Sequence, residues 1–464
     1  MARFSSIHLL VTAAVLVSAA GANAQSAKNG RAPIEAYIAE PMPALIQVMG
    51  TEVDGPVFTD AEGHPLYTWQ GGGQNNQGYR GEQEGKPTCG DEVRRITAGF
   101  HEPYPPGLIL PEVETRPACA AVWPPLLAAA DAKPVGKWSV VARPDGKSQW
   151  AYDGYAVYKS ARDQEPGLPV GIGRLRAGGS AGTLRRPIGP RPDVPAQFTV
   201  VTVPTGRLLT TVEGFSVYTS QRDGVNKSNC DAACQRSFAP VVAHASAPRA
   251  RGDWGVIERS PGVFQWTYRK KPLYTLVDEE QLASFHGADV PGWQNVYTLP
   301  APKFPEGFTL EEAPGGVVLA DARGRTIYQY NCTDDSLDQL TCDHPKDTQA
   351  YRFAICGGND IARCLKTFPY VVADEKAVST SAIWAIKYVD PKTGRFAEKD
   401  QAGALRVWTY RERPVYTFFR DNAPGDTYGD SWGENNGWIN GYHAFFVREE
   451  YRKQFQDTRG RRGG

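Results

Sequence analysis

Residues 58–67 read Phe-Thr-Asp-Ala-Glu-Gly-His-Pro-Leu-Tyr, and this ten-residue stretch returns twice in the chain. It recurs at residues 209–218 as Leu-Thr-Thr-Val-Glu-Gly-Phe-Ser-Val-Tyr, and at residues 319–328 as Leu-Ala-Asp-Ala-Arg-Gly-Arg-Thr-Ile-Tyr. Each copy holds apolar residues, a polar turn centred on Gly63, Gly214 or Gly324, and a closing aliphatic–Tyr pair. Glycine reaches positive φ without a Cβ clash, so the pattern predicts a β-hairpin.

Outward from this element the repetition continues. Cys119 is followed four places on by Trp123, Cys234 by Phe238 and Cys364 by Phe368. A further tryptophan lies nineteen or twenty residues beyond each cysteine, at Trp138, Trp254 and Trp384. A second hairpin then reads Trp150, Tyr152 and Tyr158, repeated as Trp266, Tyr268 and Tyr274 and as Trp408, Tyr410 and Tyr416. The Trp-to-Tyr interval of eight is kept in all three. A Trp and a Tyr two apart share one face of a strand. Internal repetition at this level decides the architecture before any motif does.

The fold expected is therefore all-β: three tandem modules, each a small sheet or barrel of two hairpins with a short helix after the cysteine, stapled by a disulfide. One closed, propeller-like ring of six hairpins is the alternative. The divisions are a signal peptide at 1–24, modules at 25–165, 195–300 and 301–450, a Gly/Pro/Arg-rich linker at 166–194, and a disordered tail at 451–464. Composition agrees, since 48 Gly and 36 Pro in 464 residues suit turn-rich β structure.

Arg3, the apolar run from Ile7 to Ala20 and the small-x-small site at Ala22-Asn23-Ala24 form the three-part pattern of a secretory signal. The expected location is exported, periplasmic or secreted, and no transmembrane span is expected in the mature chain. Acidic and basic residues balance at 51 each, which offers no global field for nucleic acid. In an oxidising compartment eight cysteines favour disulfides. Equivalent pairs flanking a loop are Cys89 and Cys119, Cys230 and Cys234, and Cys356 and Cys364, with Cys332 and Cys342 as a fourth.

A Tyr followed five residues later by Asp occurs as Tyr158 and Asp163, Tyr218 and Asp223, and Tyr416 and Asp421. In the other hairpins Asp278 follows Tyr274 one place early, Asp334 follows Tyr328 one place late, and Tyr67 has none. With the Cys119 segment and Cys230-Asp-Ala-Ala-Cys234, these pairs resemble the secreted-repeat proteins, often lipoproteins, that carry a Y-x4-D, or Yx(FWY)xxD, pattern. That family has no known function. No cysteine stands at the cleavage site here, so the resemblance implies a free exported protein.

Candidate chemistry is sparse. An Asp five residues past a strand-end Tyr is placed to cap a turn through backbone N–H groups. Asp421, Asp426, Asp430 and Glu434 form the best metal candidate, a loop of spaced carboxylates that could wrap Ca²⁺. The Trp/Tyr sets could stack on sugars or bases, but recurrence in every module favours core packing. Residues 178–182 fit G-x-S-x-G around Ser180, without the strand and helix that motif needs. Gly171 and Gly173 likewise lack a dinucleotide-site context. The expected function is an exported non-enzymatic binding or structural protein, with an envelope or extracellular partner, no cofactor, and the oligomeric state left open. The alternative is a metal- or redox-associated envelope protein using the acidic loop of the third module.

Overall fold

A computed structural model describes residues 34–68, 84–91, 118–171, 186–332, 344–346, 349–433 and 440–450. The signal segment, the tail, Ser180, Gly173, Cys342, Asp334 and Glu434 lie outside these residues. The chain is built mostly of strands in many small antiparallel sheets of two to five strands, with few and short helices.

Strand pairing falls in three stretches of chain, 37–192, 198–300 and 309–449. In each, the quoted repeat begins in the second strand of a preceding hairpin and then turns back on itself, through the bridges Thr59–Pro65, Thr210–Ser216 and Ala320–Thr326. Gln47–Gly50 pairs with Pro56–Thr59, Phe198–Val203 with Gly206–Thr211, and Thr309–Ala313 with Gly316–Ala320. The turn glycines Gly63, Gly214 and Gly324 all have positive φ, between 77° and 94°. The second hairpin likewise recurs: Ser148–Tyr152 turns back onto Tyr155–Ala156, Val263–Tyr268 onto Lys271–Pro272 and Leu405–Tyr410 onto Arg413–Pro414. Each long strand also pairs with a preceding one, Trp138–Ala142, Trp254–Ser260 and Trp384–Val389.

The two hairpins of one stretch meet through their terminal tyrosines. Tyr67 pairs with Tyr158, Tyr218 with Tyr274 and Tyr328 with Tyr416. These contacts join hairpins two by two. The preceding aliphatic residue explains the layering. Strand side chains alternate faces, so Leu66 and Val157 point into one cluster with Trp138 and Trp150, while Tyr67 and Tyr158 point into another with Cys89, Cys119 and Trp123. Val217 and Leu273 split from Tyr218 and Tyr274 in the same way, as do Ile327 and Val415 from Tyr328 and Tyr416. Each stretch therefore has a tryptophan cluster and a separate tyrosine–cystine cluster.

Three disulfides are present among the described residues: Cys89–Cys119, Cys230–Cys234 and Cys356–Cys364. Short helices carry the second cysteine of each: Cys119–Val122, a 3₁₀ turn at Cys234–Arg236, and Ile361–Thr367. Asp360 caps the last by accepting the Arg363 N–H at 3.0 Å. The third stretch adds a further helix, Ala350–Gly357, which brings in Cys356.

Within residues 166–194, Arg186–Pro187 pairs with Tyr67–Thr68 and Pro192 bridges Tyr37. Phe58 donates its N–H to Ile188 O, and Ile188 donates to Leu66 O. Val296 does the same between Leu209 and Val217, and Phe445 between Leu319 and Ile327. Proline and arginine content hid a closing strand whose only apolar signal is Ile188.

The sequence reading also missed a fourth repeated element. Met42-Pro43-x-x-Ile46, Val194-Pro195-x-x-Phe198 and Phe304-Pro305-x-x-Phe308 precede the three first hairpins. In each, the last residue donates its N–H to the proline carbonyl three places back. Both apolar residues pack on the tryptophan cluster of their stretch.

Candidate functional site

The Tyr/Asp pairs are the most repeated polar chemistry of the chain, and the structure pairs them across hairpins. Asp163 accepts the hydroxyl of Tyr67 at 2.7 Å, not that of Tyr158. Asp421 accepts Tyr328 at 2.6 Å, and Asp223 accepts Tyr274 at 2.8 Å. In every stretch the carboxylate that follows one terminal tyrosine is held by the tyrosine of the other hairpin. The opposite oxygen caps a loop: Asp163 Oδ1 accepts Val170 N and Gly171 N, Asp223 Oδ1 accepts Asn229 N, and Asp421 Oδ1 accepts Tyr428 N.

Burial shapes their ionisation. Loss of water pushes Asp163 up to about 7, only partly offset by the bonds from Tyr67, Val170 and Gly171. Asp421 is pushed up to about 6 for the same reason. Tyr67 is held well above its ordinary value by burial, then by the charge of Asp163.

Glu279 takes the five-residue position after Tyr274 and stands in for an aspartate; Asp278, at positive φ, does not. It works through Ser284, whose hydroxyl bonds both Glu279 Oε2 and Tyr218 OH, the latter at 3.2 Å. His286 Nδ1 lies 3.1 Å from Glu279 Oε1. Serine, glutamate and histidine thus meet, but in an order unsuited to nucleophilic catalysis. The imidazole touches the carboxylate instead of the serine, and Ser284 is fully buried.

The acidic loop of the third stretch divides its carboxylates among separate tasks. Asp421 serves Tyr328. Asp426 Oδ2 accepts the N–H groups of Asn422 and Ala423, each at 2.9 Å. Asp430 Oδ1 accepts Ala444 N at 2.9 Å and lies 3.6 Å from His443 Nδ1.

A different group, Asp60, Glu62 and His64, brings three potential ligand atoms within 4.8 Å of one another. Its geometry is that of a capped turn. Asp60 Oδ1 accepts Glu62 N and His64 N, while Oδ2 faces His64 Nδ1 and Lys159 Nζ, both at 3.1 Å. Burial raises the Asp60 pKa, but these partners outweigh it and hold the carboxyl below its ordinary value. The equivalent Asp321 accepts Arg323 N and Arg325 N and binds the Arg325 guanidinium at 2.7 Å. An arginine cannot ligate a metal, so the position is one for a counter-charge.

The aromatic residues are core. Trp138, Trp150, Trp254, Trp266, Trp384 and Trp408 are all buried. Trp254 Nε1 finds Asp193 O at 3.3 Å and Trp266 Nε1 finds Gln197 Oε1. Behind the tyrosine–cystine clusters, sequence reasoning missed a buried polar pair. Arg143 donates to Gln149 Oε1 and Cys89 O, and Arg259 donates identically to Gln265 Oε1 and Cys230 O. The signal was the shared six-residue spacing of Arg and Gln. In the third stretch Val389 and Val407 occupy both positions.

No family model, curated protein or solved structure matches this chain.

Proposed function

We propose that the chain is an exported, non-enzymatic repeat protein of three two-hairpin modules, serving as a rigid binding or structural element outside the cytoplasm. The observation that carries this reading is the fate of the repeated polar groups. The Tyr/Asp pairs, the tryptophans and the cystines recur at equivalent positions because each set builds a core. Paired disulfides suit an oxidising compartment, and the signal-like N-terminal pattern supports the same location. The resemblance to Y-x4-D secreted repeats is compatible with it. The partner on this reading is an envelope or extracellular component met by the loops outside the cores.

Cell fractionation of a C-terminally tagged full chain, with thiol labelling under denaturing conditions, tests the proposal. Recovery outside the cytoplasm with the six described cystine residues blocked to labelling is expected. Recovery in the cytoplasm with reactive thiols at Cys89 or Cys230 overturns it. Elemental analysis of the same preparation separates the metal-associated alternative, which requires a stoichiometric ion lost on substituting Asp426 and Asp430 by Asn.

A further inference from the structure

The first hairpin of the chain differs from its two counterparts at its tip. Val203 pairs with Gly206 and Ala313 with Gly316, leaving two residues in the turn. Gly50 instead pairs with Pro56, so that five residues, 51–55, project beyond the strands. The tip is braced internally, with Thr51 Oγ1 donating to Gly55 O at 2.9 Å and accepting Asp54 N at 2.7 Å.

This tip is buried in the third stretch. The two oxygens of Glu52 accept Ala382 N and Ile383 N at 3.0 and 2.7 Å. Val53 joins the cluster of Ile383, Trp384 and Trp408 and is 3% exposed. Asp54 meets Arg411 through two parallel bonds of 2.7 and 2.9 Å, both side chains being 7% exposed. Arg411 also donates to Pro169 O, and Arg413 to Val170 O, each at 3.2 Å.

Arg411 sits at φ +50° in the turn of the third stretch's second hairpin, and donates its N–H to Ile383 O. Arg269 holds that place in the second stretch, at φ +46°, donating to Asp253 O. Asp153 holds it in the first, donating to Lys137 O. Residues 137, 253 and 383 are thus equivalent, yet they are Lys, Asp and Ile. Arg269 takes its carboxylate locally, from Asp253 at 3.0 Å, in an exposed pair. Arg411 has an isoleucine there, and its carboxylate arrives from 357 residues away.

We propose that residues 51–55 are a docking plug that locks the first stretch onto the third, and that Ile383 with Arg411 selects its socket. An aspartate at the equivalent site closes the second socket, by satisfying the arginine and repelling Glu52 and Asp54. Buried ion pairs add little net stability against an apolar alternative but penalise wrong partners heavily, which suits a registration role. The inference rests on the equivalence of the three second hairpins and is independent of where the protein resides.

Hydrogen exchange of the full chain reads the lock through the amides of Ala382 and residue 383, which Glu52 covers. Ile383→Asp is expected to speed their exchange at least tenfold while the amides of residues 57–59 stay protected. Arg411→Asp should do the same, and the charge-swapped Asp54→Arg/Arg411→Asp chain should recover most of the protection. Unchanged exchange in Arg411→Asp, or a double variant no better protected than the single, overturns the proposal. A global loss of protection in Ile383→Asp leaves the decision to the charge-swap pair.

Discussion

Tyr67 donates its hydroxyl to Asp163 at 2.7 Å across 96 residues of sequence, and both side chains are buried. The same carboxylate closes the 163–171 loop, whose Pro169 and Val170 carbonyls face Arg411 and Arg413. Asp163→Ala strands one hydroxyl and two N–H groups, so a loss of about 3 kcal/mol is expected. Asp163→Asn keeps an acceptor for the amides and gains a donor for Tyr67, so about 1 kcal/mol or less is expected. Urea unfolding at neutral pH measures both; equal losses would show that the cross-hairpin bond does not matter.

The raised pKa values fix the sign of a pH effect. Asp163, at about 7, and Asp421, at about 6, hold a proton in the fold that an unfolded Asp releases near pH 4. Their contribution is fully present below about pH 4 and is lost as pH rises through 6 to 7. The Asp163→Asn/Asp421→Asn chain should therefore lose less stability between pH 5 and 7.5 than the unsubstituted protein. An identical slope, by denaturant titration at the two pH values, contradicts the assignment.

Arg143 and Gln149 form a buried pair that the third stretch replaces with Val389 and Val407. Substituting one member leaves the other unsatisfied, costing about 3 kcal/mol. Substituting both by Val imitates the third stretch, although Cys89 O loses its donor. A double-mutant cycle should give a coupling of about 1 kcal/mol or more. Additive losses would mean that the two side chains act independently.

Disulfide removal should scale with the loop closed. Cys89–Cys119 spans 30 residues and Cys230–Cys234 spans four. Replacing both cysteines by Ala should cost about 3–4 kcal/mol in the first case and about 2 in the second, if chain entropy dominates. Denaturant midpoints of the two double variants provide the check. A larger loss for the short loop would point to its packing in the cluster of Tyr218 and Phe238 instead.

Much of this was legible in the chain because the carriers are local. Gly63, Gly214 and Gly324 announce turns, and an aliphatic–Tyr pair announces a strand end with two faces. The period of two even contained the division into two clusters, since Leu66 and Tyr67 had to face opposite ways. The Asp163, Asp223 and Asp421 caps followed from their distance to a strand end. The closing strand around Ile188 was obscured, because its neighbours are Pro, Gly and Arg and only one side chain reaches the core. The Met42, Val194 and Phe304 elements were legible but short, with a proline as their only fixed residue.

The sequence by itself determined the repeated hairpins, the turn positions and the apolar faces, because backbone φ and side-chain alternation are properties of neighbouring residues. Only the tertiary structure decided which tyrosine holds which aspartate, and that residues 51–55 belong to the core of a distant stretch. Those pairings link groups separated by tens to hundreds of residues, through geometry that spacing does not encode. Asp54 and Arg411 are two unremarkable surface residue types until the fold removes both from water together.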